Sequence, residues 1–170
     1  MDPILLVLRV VHVVGGVFWA GAILFVAHFL EPAVRDTGPD GARVMQALQK
    51  RRYLDVMPVV AALTLVSGFW LYWRTFGRVH PGPGASGVEL VLGTGGVVSL
   101  VAFVVGVTAM RPAALRIGRL GAELAQAPPE RKEALGAELA TLRRRMRVAG
   151  RVVAALLGVA ILCMAVARYV

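Results

Sequence analysis

Four apolar runs constrain this chain more than any other feature: residues 4–30, 56–73, 88–110 and 148–167. Crossing a bilayer takes about 20 mostly apolar residues at ~1.5 Å of rise each, and every run is near or above that length. A soluble domain carries about 45–50% apolar residues in a broken pattern. Here 58% of the 170 residues are hydrophobic, gathered into these runs. The expected fold is therefore all-α: an integral membrane four-helix bundle, forming one domain over residues 1–170.

Residues 4–30 do not read as a signal peptide. The run is too long for a signal core, carries His12 and His28, and lacks a basic segment before it. The single cysteine, Cys163, excludes an internal disulfide and any cysteine-built zinc or iron–sulfur site.

Charge sets the expected orientation. The formal net charge is +9, and in a membrane chain its distribution carries the information. Five basic residues lie between runs one and two (Arg35, Arg43, Lys50, Arg51, Arg52), and ten lie from Arg111 to Arg151. Only Arg74 and Arg78 lie between runs two and three, with Arg9 and Arg168 near the termini. The positive-inside rule then predicts a multi-pass protein of a bacterial-type cytoplasmic membrane, both termini outside. The basic residues answer to topology and anionic headgroups, so no nucleic-acid partner is expected.

Local signals supply the ends. Asp2-Pro3 is an N-cap followed by proline in the first turn, and Thr37–Gly41 is a turn cluster. A short amphipathic helix is expected from Asp40 into the second span. After Pro128-Pro129, residues Leu135, Leu139, Leu142, Met146, Ala149, Val153 and Leu156 recur at spacings of four and three. This seam predicts that helices three and four extend as a cytoplasmic antiparallel hairpin over residues 111–147, turning near Pro128.

His12 is the candidate centre of the site. It lies inside the first run, and Gly16 and Trp19 follow at i+4 and i+7, on one helix face. An ionisable side chain at such depth faces a bundle interior with a partner or a function. His28 is ~24 Å further along the helix and cannot share that site. An intramembrane imidazole, neighbouring glycines and rim arginines (Arg9, Arg74, Arg168) suit a b-type haem: imidazole ligates iron and guanidinium pairs with propionate. His80 or Met164 is the candidate second ligand. The competing reading is a structural His12 bonded to Thr94, Ser99 or a neighbouring carbonyl.

The stretch from Val10 to Pro32, with His12-x6-Trp19, Gly21 and a closing Glu31-Pro32, resembles the first helix of a superfamily of small four-helix membrane proteins. That superfamily includes CopD-like copper resistance proteins and HemJ-like protoporphyrinogen oxidases. The later Ser67-Gly68-Phe69-Trp70-Leu71-Tyr72-Trp73-Arg74 adds to the resemblance, which covers about the first 75 residues. It implies that His12 is an axial haem ligand. The oxidase branch pairs that histidine with a lysine on the third helix, whereas the only lysines here are Lys50 and Lys132, outside the apolar runs. The resemblance therefore does not carry oxidase activity to this chain.

Three functions follow as expectations. The leading one is a membrane b-type cytochrome, exchanging electrons with quinone or another redox protein. The alternatives are a copper-handling protein using His12, His80 and Met164, and a non-catalytic subunit of a larger or homo-oligomeric complex. No paired carboxylates, nucleophile–base set or phosphate loop points to hydrolytic or proton-abstracting chemistry.

Overall fold

The computed structural model describes residues 2–77 and 86–170, and among these every regular element is helical. Four helices are long and apolar enough to cross a membrane. The first begins as α1 (Pro3–Phe25), passes through a π-helical turn at Val26–Leu30 and continues as α2 (Glu31–Asp36). The amphipathic α3 (Pro39–Lys50) leads to the second long helix, α4 (Tyr53–Phe76). The third begins as α5 (Gly87–Val105), passes a second π turn at Gly106–Met110 and continues as α6 (Arg111–Gln126). The fourth, α7 (Pro129–Val166), ends in a 3-10 turn at Ala167–Tyr169.

The ends follow local chemistry. Asp2 accepts a hydrogen bond from the Ile4 amide at 3.0 Å, and Pro3 opens α1. Ser86 caps α5 through the Glu89 amide at 3.2 Å. Each π turn is followed by a proline at the second helical position, Pro32 or Pro112. Proline has no N–H for the carbonyl four residues back, and its ring crowds that carbonyl. A π turn just before it absorbs the misfit without ending the helix.

One expected junction differs. The amphipathic helix does not run on into the second span: Arg52 adopts φ 60°, ψ 25°, and separates α3 from α4. A non-glycine residue in the left-handed region turns the chain sharply and costs roughly 1 kcal/mol or more.

Packing is pairwise. α1 lies mainly on α4 and α5 mainly on α7, while α4 also meets α5 and α7 meets α1. Their common core is Trp19, Ala20, Ala61, Ala102, Val153 and Leu157. Half of these residues are alanines, allowing close backbone approach where lipid supplies no hydrophobic drive between helices. The outward faces are apolar: Val17, Phe29, Val66, Phe69 and Leu162 are among many large exposed hydrophobic residues. Such a surface suits a bilayer rather than water.

Beyond the core, α6 and α7 form an antiparallel hairpin with its own apolar cluster of Leu120, Leu135 and Leu139, with Leu124 and Leu142 against it. Arg116–Glu138 and Arg131–Glu123 pairs tie its two arms. The seam enters the main core through Val153 and Leu157, so Leu157 rather than Leu156 is the buried member there.

Candidate functional site

His12 packs into the seam between α1 and α4. Its Nδ1 lies 2.8 Å from the Thr64 carbonyl oxygen. A carbonyl only accepts, so Nδ1 carries the proton and donates. In the neutral ring this leaves the lone pair on Nε2, the tautomer of a histidine that ligates a metal while a backbone carbonyl holds its other nitrogen.

Glycines make this approach possible. A Cβ on residue 68 would stand 2.5 Å from His12 Cε1 and 2.7 Å from Nδ1, so the imidazole occupies the space a side chain would need. A Cβ on residue 15 would stand 2.6 Å from Thr64 Oγ1, whereas Gly16 faces Thr64 Cγ2 at a comfortable 3.5 Å. Thr64 and Ser67 are the two buried polar side chains among the described residues. The Thr64 hydroxyl donates to Val60 O at 2.9 Å, and the Ser67 hydroxyl donates to Leu63 O at 2.6 Å and reaches Thr64 O at 3.1 Å. His12 thus joins a satisfied polar patch in an otherwise apolar seam. Trp19, two turns along the same face, is buried in the main core.

Met164, Arg74 and Arg168 have contacts of their own. Met164 packs toward α5: its Cε is 3.5 Å from the position a Cβ on Gly95 would take. Arg74 pairs with Asp2 at 3.3 Å, tying the start of α1 to the end of α4. Arg168 lies over the Tyr169 ring, 4.6 Å from its centroid. Arg9 is exposed on α1. His80 lies outside the described residues. Thr94 and Ser99 donate to their own helix, at Leu90 O and Gly95 O, and the partner His12 finds is a neighbouring carbonyl, that of Thr64, as the structural reading of this histidine also expected.

Thr64 and Gly68 are the partners that sequence reasoning did not assign to His12. Their signal was available: Thr64, Ser67 and Gly68 stand at i, i+3 and i+4, one polar and small face on an apolar helix. Two surface grooves lie elsewhere. One, about 310 Å³, runs between α4 and α5 past Tyr72, Glu89 and Gly93; the other, about 340 Å³, lies on the α6–α7 hairpin beside Arg116 and Arg145.

For a haem, the seam supplies one donor, a half-buried imidazole fixed at Nδ1 by a backbone oxygen. The space beside Gly68 is taken by that imidazole itself. The Arg74–Asp2 pair is partly exposed, and such pairs contribute only about 0–1 kcal/mol, so the guanidinium can exchange partners at small cost.

No protein family, curated protein or solved structure matches the chain. What can be said of its activity rests on its own residues.

Proposed function

We propose that this chain is a multi-pass membrane protein that binds a b-type haem through His12. The four helices form one bundle in a bacterial-type cytoplasmic membrane, with both termini outside and the α6–α7 hairpin in the cytoplasm. The distribution of basic residues supports this orientation, because they concentrate in the two segments at the end opposite the termini.

The reading rests chiefly on the His12 Nδ1 bond to the Thr64 carbonyl. That bond orients the ring, fixes its tautomer and strengthens Nε2 as a donor. When bound, haem supplies a one-electron couple that no side chain here provides. The residues of the chain do the rest. Gly68 gives His12 its space, Thr64 and Ser67 keep the seam internally bonded, and Trp19 seals it toward the core. Arg74, with Arg9 and Arg168, supplies positive charge toward the outer end for propionate groups. Met164 and His80 are the candidates for the second axial position. The redox partner is a membrane quinone or another redox protein.

The test is an oxidised-minus-reduced absorption spectrum of the detergent-purified protein with a pyridine haemochrome on the same sample. A reduced α-band of b type that His12→Ala abolishes is the expected result. A flat spectrum after haem-sufficient expression, or a band indifferent to His12→Ala, overturns the reading. Copper binding and complex assembly would then lead.

A further inference from the structure

The two π turns, Val26–Leu30 and Gly106–Met110, are 80 positions apart, and the helices around them correspond without a gap. At that offset Val11, Gly15, Gly16, Val17, Ala22, Pro32 and Ala33 recur as Val91, Gly95, Gly96, Val97, Ala102, Pro112 and Ala113. The polar side chains inside the two π turns also match. His28 donates to Leu24 O at 3.0 Å, and Thr108, its equivalent, donates to Val104 O at 2.7 Å.

The second helices correspond at an offset of 93. Val59-Val60-Ala61-Ala62-Leu63 recurs as Val152-Val153-Ala154-Ala155-Leu156, and Lys50-Arg51-Arg52 recurs as Arg143-Arg144-Arg145. Burial follows the same register: Ala61, Thr64 and Ser67 are buried, and so are Ala154, Leu157 and Ala160. Packing follows it too, since α7 meets α1 as α4 meets α5.

We infer that the chain is two copies of one helical hairpin, paired about a pseudo-twofold axis along the helices, and that opposite charges at two equivalent junctions make each hairpin select the other. At one junction Glu31, at the end of the first helix, pairs with Arg147 on α7 at 3.3 Å. At the other, Arg111 is the equivalent of Glu31. It pairs with Asp55 at 2.9 Å and donates to Leu54 O at 3.2 Å, and Leu54 is the equivalent of Arg147. The charges are reversed, and the acid at the second junction, Asp55, stands one position beyond the equivalent of Arg147.

This pattern discriminates between partners. Were the first hairpin to pair with a second copy of itself, Glu31 would meet the copy's Asp55, acid against acid. Were the second to do so, Arg111 would meet the copy's Arg147, base against base. Like charges at a junction are a means of rejecting the wrong partner, and each correct pairing removes both repulsions. Two hairpins of like packing in one membrane gain selectivity from such a device, because small-residue faces alone pack on either partner.

The test uses the full chain in detergent and in lipid nanodiscs, with melting and oligomeric state as readouts. Reversing one half, E31R/D55R, makes both junctions base–base. The expected melting temperature falls by on the order of 5 °C, with partial opening or hairpin exchange between chains. Adding R147E, which leaves the Arg111 bond to the Leu54 carbonyl in place, restores the first junction with exchanged polarity and recovers part of the loss. The neutral E31Q/D55N falls between wild type and the one-half reversal. If the one-half reversal melts like wild type, or E31R/D55R/R147E is no better than the one-half reversal, the proposal is overturned. Should the one-half variant fail to fold, recovery in E31R/D55R/R147E still decides.

Discussion

Arg111 Nε donates to the Leu54 carbonyl at 3.2 Å, and Leu54 is the residue whose helix partner is missing because position 58 is proline. Inside a helix the carbonyl at i−4 bonds the amide at i, and proline has no amide hydrogen to give. An unmet carbonyl in apolar surroundings costs about 1–3 kcal/mol. The guanidinium that meets it also reaches Asp55 Oδ1 at 2.9 Å, so a single side chain from the third helix satisfies two groups on the second.

This relation predicts coupling between positions 58 and 111. Arg111→Met should destabilise the wild type by about 1–3 kcal/mol, and less in a Pro58→Ala background, where residue 58 regains its amide. Chemical denaturation in mixed micelles measures the cycle. Equal costs in both backgrounds would show that the Leu54 carbonyl does not depend on Arg111.

Glycine substitutions should separate the His12 seam from the remaining surface. Gly68→Ala must displace an imidazole whose atoms lie 2.5–2.7 Å from the new carbon, and overpacking of this kind costs roughly 1–3 kcal/mol. Gly21→Ala meets nothing within 4 Å and should gain from helix propensity, by up to about 1 kcal/mol. Melting curves of the two variants should move in opposite directions. Where haem is bound, the Gly68 variant alone should alter the α-band.

In the α6–α7 hairpin, burial should outweigh charge. Leu139 is 5% exposed, and Leu139→Ala should cost about 2–5 kcal/mol, lost locally as faster amide exchange along α6. Glu138→Gln breaks its surface pair with Arg116 next door and should cost less than about 1 kcal/mol.

Arg52 holds φ 60° between α3 and α4, where only glycine is free of strain. Arg52→Gly should raise the melting temperature by about 2–4 °C, since its exposed contact with Asp55 at 3.7 Å is a weak one. Arg52→Val, which tolerates that conformation least, should lower it. Failure of the glycine variant to gain stability would mean that the Asp55 contact outweighs the strain.

Much of the architecture was legible in the residues. The apolar runs marked the four long helices, Asp2-Pro3 and Pro128-Pro129 marked where helices begin, and the leucine seam after Pro128 marked the hairpin. The break at Arg52 was not legible, because a left-handed turn on arginine is set by the pull of the flanking helices and not by its own preference. The hairpin repeat was present in the letters but masked, because its offset changes from 80 to 93 between first and second helices. The paired π turns made the alignment apparent.

By itself, then, the sequence determined which segments are helical, which are long and apolar enough to span a bilayer, and which face His12 shares with Gly16 and Trp19. Those are properties of hydrophobicity and of a 3.6-residue period acting along one helix. Only the tertiary structure decided what His12 meets. Thr64 is 52 positions away, and periodicity fixes a residue's face but not the height at which one helix slides along another. That height is set by where backbones can touch: Gly68 leaves room for the imidazole, and the Thr64 carbonyl then takes its proton.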